Sequence, residues 1–328
     1  MRILYSGTID GAHSKNGGYQ HILDNPLTQG VLLASNCLFG NVSKKFRLRK
    51  ITYFLLDMKT RWARRHYDIT HLFYADLTMS PLFPYKKRRN NKIVGTIHLD
   101  LEKQRFGKAY INNLKSFDGV IVLSSQQKEY YKNKFNIDTV FIPHGFDKPS
   151  FSFEKSLDIH GNEIDKDKIN LITLGKNYRD FKTLEEAIIH FQNTPEIHFH
   201  IVGAPTMIKE RLKDYTNVSI YNRLNDNQYY SLIEECDYSF LPLTFATANN
   251  ALLEVQSLGR KSILPNLPGV LDYSAPSPLN IMYNSMDELF GIIGSLTKSG
   301  YVKEIEEYAK RFRWENIYKE LNQFYSEL

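Results

Sequence analysis

The chain reads as an α/β protein built from two doubly wound parallel sheets. Three observations predict this. Short apolar runs alternate with helical spacings along nearly the whole length, which is the pattern of βαβ units. The 328 residues are long for one core and comfortable for two. The alternation breaks once, between Lys148 and Lys168, where Asp158, Glu163, Asp165, Lys166, Asp167 and Lys168 crowd together. The expected organisation is therefore a first domain over 1–150, a linker over 151–168 and a second domain over 169–300. A terminal helix over 301–328 is expected to pack across the domain interface through Phe312, Trp314, Ile317, Tyr318, Leu321 and Phe324, an aromatic stripe of the kind that belongs to a core.

In the first half, apolar runs predict strands at Arg2–Tyr5, Ile69–Tyr74, Ile93–His98, Val120–Leu123 and Val140–Pro143. Helical spacing predicts helices at Ile51–Arg65, Arg105–Lys115 and Gln126–Phe135, and 31–49 fits neither period. In the second half the strands are Leu171–Leu174, His198–Val202, Val218–Tyr221, Ser239–Leu241, Ser262–Leu264 and Ile281–Tyr283. Helices between them are Thr183–Gln192, Met207–Asp214, Asp226–Cys236, Ala251–Leu258, Met286–Leu296 and Val302–Glu327.

A hydrophobic fraction of 42% and a charged fraction of 24% describe a soluble globular chain. No apolar run approaches the roughly 18 residues that span a bilayer, and the opening Met1–Gly7 turns polar too early for a signal peptide. Cys37 and Cys236 lie far apart with no metal-ligand spacing, so a reduced, cytoplasmic setting is expected. The net charge is +6. Its basic residues cluster at Lys44–Lys50, at Arg61, Arg64 and Arg65, and at Lys86–Arg89. Such clusters beside aromatics suit an anionic membrane surface, and equally a set of solvated faces. Zinc-finger spacings, aromatic RNA-binding motifs and glycine-arginine tracts are all missing, so no nucleic-acid partner is expected.

Two segments carry candidate chemistry. In Asn249-Asn250-Ala251-Leu252-Leu253-Glu254 a polar turn enters a helix. Free backbone N–H groups and the positive dipole end there suit a phosphate, and Glu254, one turn in, is placed to reach a sugar or ribose hydroxyl. In Leu174-Gly175-Lys176-Asn177-Tyr178-Arg179 a buried strand ends and two cations follow. Ligands of doubly wound sheets bind at the carboxyl ends of strands. Lys176 and Arg179 read there either as a diphosphate clamp or as solvated loop charges. Gly17-Gly18 follows the first strand and allows close backbone approach to a ligand. His98 ends a strand and reads either as a contact to a sugar hydroxyl or as a structural histidine. Arg223 reads as a contact to a base or as a loop charge, and His144 as part of a tight turn. Asp165-Lys166-Asp167 has the spacing of a metal motif but lies in the polar linker, and no metal site is expected.

These segments, in this order, resemble the GT-B glycosyltransferases, and within them the retaining family 4 type. Gly17-Gly18 resembles the family's N-terminal glycine loop, and Thr96-Ile97-His98 its strand-end histidine. Ile142-Pro143-His144-Gly145-Phe146-Asp147 resembles its I-P-N-G-V-D turn, with His for Asn. Lys176 and Arg179 resemble its diphosphate-holding basic pair, Ile201-Val202-Gly203 its I-V-G strand end, and Asn249–Gly259 the segment that closes its paired-glutamate motif. One departure stands out: the position of the first glutamate, eight residues before Glu254, holds Ala246.

The resemblance implies a GT-B fold of two Rossmann-like domains facing a central cleft. The first would bind an acceptor, a glycan or lipid-linked saccharide, and the second a nucleotide-sugar. It implies a catalytic group of His98, Lys176 and Arg179, and a donor site of Gly17, Gly18, Lys176, Arg179, Arg223, Asn249, Asn250, Ala251, Leu252 and Glu254. Glu254 would hold the ribose, and Asn249 and Asn250 would take over sugar contacts from the missing glutamate. Transfer would be retaining, would need no metal or cofactor, and would serve bacterial surface polysaccharide synthesis in the cytoplasm, peripheral to the inner face of the membrane. A nucleotide-sugar epimerase of the same fold, or a catalytically silent sugar-binding subunit, would share most of these residues.

Overall fold

The computed structural model describes residues 1–9, 18–36, 46–98 and 107–328. Gly17 and Cys37 lie outside the described residues. The chain forms two compact units, Met1–Gly145 with Phe312–Leu328, and Phe146–Arg311.

The first unit holds a parallel sheet of β1 (Ile3–Gly7), β2 (Thr28–Leu33), β3 (Ile69–Leu72), β4 (Lys92–Ile97), β5 (Gly119–Val122) and β6 (Val140–Phe141), in the order β2-β1-β3-β4-β5-β6. The inner strands are buried along their length, β1 and β3 without exception, as a sheet covered on both faces requires. β2 runs into the start of the stretch with no clear period and was not expected. As an edge strand with a half-exposed pattern, it lacks the apolar run that marks its neighbours. The helices are α1 (Phe46–Ala63), α2 (Ala75–Thr78), α3 (Lys108–Leu114) and α4 (Ser125–Phe135). Ser124 caps α4 by accepting the Gln127 N–H.

The second unit holds β7 (Ile169–Leu174), β8 (Ile197–Val202), β9 (Val218–Tyr221), β10 (Tyr238–Phe240), β11 (Lys261–Pro265) and β12 (Ile281–Tyr283), all parallel, in the order β12-β11-β10-β7-β8-β9. Counted from β7, this is the order of dinucleotide-binding sheets. Its helices are α5 (Phe181–His190), α6 (Thr206–Leu212), α7 (Asp226–Glu235), α8 (Asn250–Ser257), α9 (Pro268–Leu271), α10 (Met286–Gly294) and α11 (Lys303–Ala309). Asn225 and Gln228 close a reciprocal cap at the start of α7.

The segment 151–168, expected as a linker, is tied down on the second unit. Ser152 N–H donates to Asn227 Oδ1 at 3.1 Å, Ser156 Oγ to the Gln228 carbonyl at 2.8 Å, and Ile159 N–H to the Ile220 carbonyl at 3.1 Å.

The single helix expected over Val302–Glu327 is two. It breaks at Lys310–Arg313, where Arg313 adopts ψ 141° and α12 (Trp314–Glu327) begins. The break divides the segment between the units, with α11 in the second and α12 in the first. Trp314 anchors α12: it is 2% exposed and lies 5.7 Å from the rings of both Tyr19 and His144. A Cβ at Gly145 would stand 2.3 Å from this indole, so the turn can hold only glycine there. Truncating such a buried indole costs about 3–5 kcal/mol.

Candidate functional site

In the second unit the strand order reverses between β7 and β10, and the chain leaves both strands there in loops. This is where an open α/β sheet opens a crevice. The β7 loop starts at Gly175 with φ 76°, a conformation costly for any residue with a Cβ. The two loops are laced together: Asp180 N–H donates to the Pro242 carbonyl at 2.9 Å and Thr244 N–H to that of Tyr178 at 3.0 Å. Tyr178 itself takes φ 55°. The lacing fixes where Arg179 and Asn249 emerge.

Arg179 is half-buried. Its Nε donates to the Leu174 carbonyl at 2.6 Å, and its Nη2 reaches Asn249 Oδ1 at 3.5 Å. Burial pushes the guanidinium down to about 10, opposed by the Tyr229 hydroxyl and the Glu254 carboxylate, so it stays cationic at neutral pH. Asn249 is 7% exposed. Its Oδ1 faces Arg179, while its Nδ2 is buried without a hydrogen-bond partner, an arrangement that wants an acceptor. Asn249 is also the N-cap of α8, yet its side chain caps nothing. The first-turn N–H groups of Asn250, Ala251 and Leu252 therefore have no side-chain cap. Ala251 and Leu252 are buried and offer a ligand only these main-chain groups. One turn on, Glu254 is 6% exposed, and its Oε2 accepts the Tyr229 hydroxyl at 2.6 Å. A cation, an orphaned amide donor, a helix N-terminus and an oriented carboxylate thus converge at one crevice. They suit an anion attached to a hydroxyl-bearing group.

The remaining expected residues scatter more widely. Lys176 is exposed at the loop's start and has no hydrogen bond or ion pair with a described residue. Arg223 is exposed beyond β9, the sheet's far edge, and makes no bond to Arg179, Asn249 or Glu254. Ala246 is 5% exposed and backs onto Gly269, where an added Cβ would stand 1.9 Å from the Ala246 carbonyl oxygen. Sequence reasoning missed Tyr229: it arrives from α7, and nothing in the local spacing marks it.

In the first unit, Gly18 takes φ 108° just before the buried Tyr19. His98 follows β4 and is firmly held. Its Nε2–H donates to the Phe73 carbonyl at 2.7 Å, its backbone N–H to Asp76 Oδ2 at 2.9 Å, and its ring stacks on Tyr74 at 4.0 Å. His144 is buried, its Nδ1 2.6 Å from the Gly145 carbonyl.

A cavity of about 470 Å³ lies elsewhere in the second unit, against His198, His200, Ser219 and the 158–168 segment. It sits toward the amino ends of β8 and β9, opposite the crevice, and several of its charges are already spoken for. Lys168 pairs with Asp165, and Asp158 accepts the N–H groups of His160 and Asn162. Among the described residues, no three histidine, cysteine or carboxylate side chains are placed to hold a metal ion.

Residues 37–148 match the model of Glycosyltransferase Family 4. No curated protein sequence matches the chain. Among solved structures, the fold is similar to the sucrose-phosphate synthase of Thermosynechococcus elongatus, with 15% identity over 99% of this chain and 88% of that one and a TM-score of 0.68. It is also similar to the lipopolysaccharide outer core galactosyltransferase WaaB, with 14% identity over the whole of both chains and a TM-score of 0.67. The catalytic domain of Starch Synthase IV from Arabidopsis thaliana, bound to ADP and acarbose, shares 9% identity over 99% of both chains, with a TM-score of 0.69. With two Rossmann-like units of matching topology, the chain has the GT-B fold, and its first unit carries the stretch that is similar to Glycosyltransferase Family 4.

Proposed function

We propose that the protein transfers a sugar from a nucleotide-sugar, held at the β7–β10 crevice, to a glycan or lipid-linked saccharide. The observation that carries this reading is the meeting of Arg179 and Asn249 at the uncapped start of α8, one turn above the buried Glu254. Transfer breaks the bond between the anomeric carbon and a phosphate oxygen, and negative charge builds on the departing diphosphate. Fixed donors aimed at that charge lower the barrier most when they need no rearrangement. Arg179 is already held by Leu174, Asn249 Nδ2 awaits an acceptor, and Lys176 is placed to add a point charge. Glu254, oriented by Tyr229, would accept ribose hydroxyls.

These cations and the helix N-terminus supply charge stabilisation themselves, so transfer is expected to persist in a chelator. Ala246 offers the sugar no side-chain contact. Asn250 would take that part, and Arg223 would meet the base. Retention of anomeric configuration and a role in bacterial surface polysaccharide synthesis, at the inner face of the membrane, complete the reading.

The structure of HepE from Anabaena holds UDP and glucose, and the starch synthase holds ADP. A panel of uridine, adenosine and guanosine diphosphates is therefore the first probe. A ligand of the folded state raises the melting temperature by mass action. One diphosphate should do so in the presence of a chelator, and Arg179→Ala and Glu254→Ala should abolish the shift. Shifts unaffected by both substitutions would sink the assignment. Binding of the diphosphate without turnover on any acceptor would point to the silent-subunit alternative.

A further inference from the structure

Helix α1 exposes an apolar stripe. Its buried side carries Thr52, Asp57 and Thr60 along with Leu56, all 1% exposed or less. Its outward side carries Ile51 at 45% exposure, Phe54 at 36% and Trp62 at 63%, with Met58 half-exposed between them. These four recur at three- and four-residue steps and form one stripe. The buried carboxylate is satisfied locally, since Asp57 accepts the Tyr85 hydroxyl at 2.5 Å and Arg61 Nε at 2.7 Å. The helix thus keeps three polar side chains inward beside Leu56 while leaving Ile51, Phe54 and Trp62 facing out.

A second apolar feature adjoins it. Leu82 and Phe83 are 69% and 50% exposed at the tip of the loop that follows α2. Arg61 joins the two, donating from α1 to the Phe83 and Pro84 carbonyls. The surroundings are basic. Lys86, Lys87, Arg88 and Arg89 are all exposed beside the loop tip, and exposed Arg65 lies over the Trp62 ring at 4.1 Å. From Phe46 to Tyr67 the only acid is the buried Asp57, and from Leu77 to Lys92 there is none.

We propose that the outward stripe of α1, together with the Leu82–Phe83 tip, docks onto an anionic bilayer. Tryptophan and phenylalanine on an apolar stripe flanked by lysine and arginine are the make-up of a helix lying in a membrane interface. An acid-free basic rim supplies the charge complement to anionic headgroups. The contact is interfacial: no described helix is long and apolar enough to cross a membrane. This deepens the reading of a lipid-linked acceptor by naming the surface that would bring the chain to it, but its geometry is independent of the donor crevice.

The test is sedimentation of the full chain with vesicles, either pure phosphatidylcholine or an equimolar mixture with phosphatidylglycerol. Binding is expected to the anionic vesicles alone and to weaken with salt. The pair Phe54→Ser with Trp62→Ser, and separately Lys86→Glu with Lys87→Glu, should each lower partitioning by roughly tenfold or more. Both variants should keep wild-type melting temperatures and diphosphate-induced shifts, so failure of the donor reading would show separately. No sedimentation of wild type with anionic vesicles at low salt overturns the proposal. So does binding that survives the Phe54 and Trp62 substitutions, which would reduce the effect to general basic attraction.

Discussion

Tyr229 and Glu254 stand on successive helices of the second unit, α7 and α8, and share a 2.6 Å hydrogen bond in which the phenol donates to Oε2. Burial, and then the neighbouring Glu254 charge, hold the Tyr229 phenol well above its usual range. It therefore remains a donor at any working pH and fixes one oxygen of the carboxylate. The crevice thus contains a buried acid whose orientation is set before any ligand arrives.

Tyr229→Phe tests that orientation. The carboxylate keeps its burial and loses one donor, at a cost of about 1–3 kcal/mol in stability. Affinity for a nucleoside diphosphate should fall by roughly tenfold, whereas affinity for inorganic pyrophosphate, which has no ribose, should not change. Isothermal titration with the two ligands makes the comparison. An equal loss for both would mean that the Tyr229–Glu254 pair does not face the ribose.

Arg179→Lys should behave almost as badly as Arg179→Ala. The guanidinium fastens itself to the Leu174 carbonyl through Nε while presenting Nη2 beside Asn249, and a lysine ammonium cannot do both. We expect kcat/KM for the donor to fall by at least about a hundredfold. Lysine retaining wild-type kcat/KM would show that only charge matters there.

Gly269→Ala reaches the site indirectly. The new Cβ would meet the Ala246 carbonyl oxygen at 1.9 Å, so the loop that runs on to Asn249 must move. Donor affinity should drop although residue 269 has no expected contact with donor, and the melting temperature should fall as well. A variant with normal donor KM would show that the loop absorbs the shift before reaching Asn249.

Much of this was legible in the sequence because it is local. The interior strands announce themselves as apolar runs, as at Ile172–Leu174 and Ser262–Leu264, since both faces of a parallel sheet are covered. The turn into α8 at Asn249 was visible for the same reason: a polar turn before an apolar helix is a short-range signal. The Tyr229–Glu254 bond was invisible, because it joins residues 25 apart through the packing of two helices. The break at Arg313 was hidden too. The apolar spacing continues through it, and only its φ/ψ, φ −60° and ψ 141°, ends the turn. The outward stripe of α1 reads, by period alone, as an ordinary core face. Which side is buried is decided by the satisfied Asp57, a tertiary fact.

Acid should destabilise both units through buried neutral histidines. In the first unit Asn25 Oδ1 accepts the Leu27 N–H, so its Nδ2 must donate, and it does so to the Tyr5 hydroxyl. The Tyr5 and Tyr325 hydroxyls share a hydrogen bond at 3.2 Å, and the Tyr325 hydroxyl lies 2.6 Å from His71 Nδ1. His71 Nε2 lies 2.7 Å from Thr96 Oγ1. In the second unit the Asn170 amide donates to two carbonyls, so its Oδ1 accepts from His200 Nε2 at 2.8 Å while Tyr221 serves Nδ1. Protonating either ring would bury a charge away from water. Burial accordingly pushes His71 down to about 3 and His200 well below its usual value. In the unfolded chain both return to near 6.5. The unfolded state therefore binds more protons below that pH, so the stability is complete above it and is lost as pH falls toward the folded values. The expected slope is up to about 1.4 kcal/mol per pH unit for each histidine. Urea denaturation between pH 7 and 4.5 measures it. His71→Gln should lower stability at neutral pH yet make the fall on acidification shallower. A variant with the wild-type slope would mean that His71 already carries its proton in the native state.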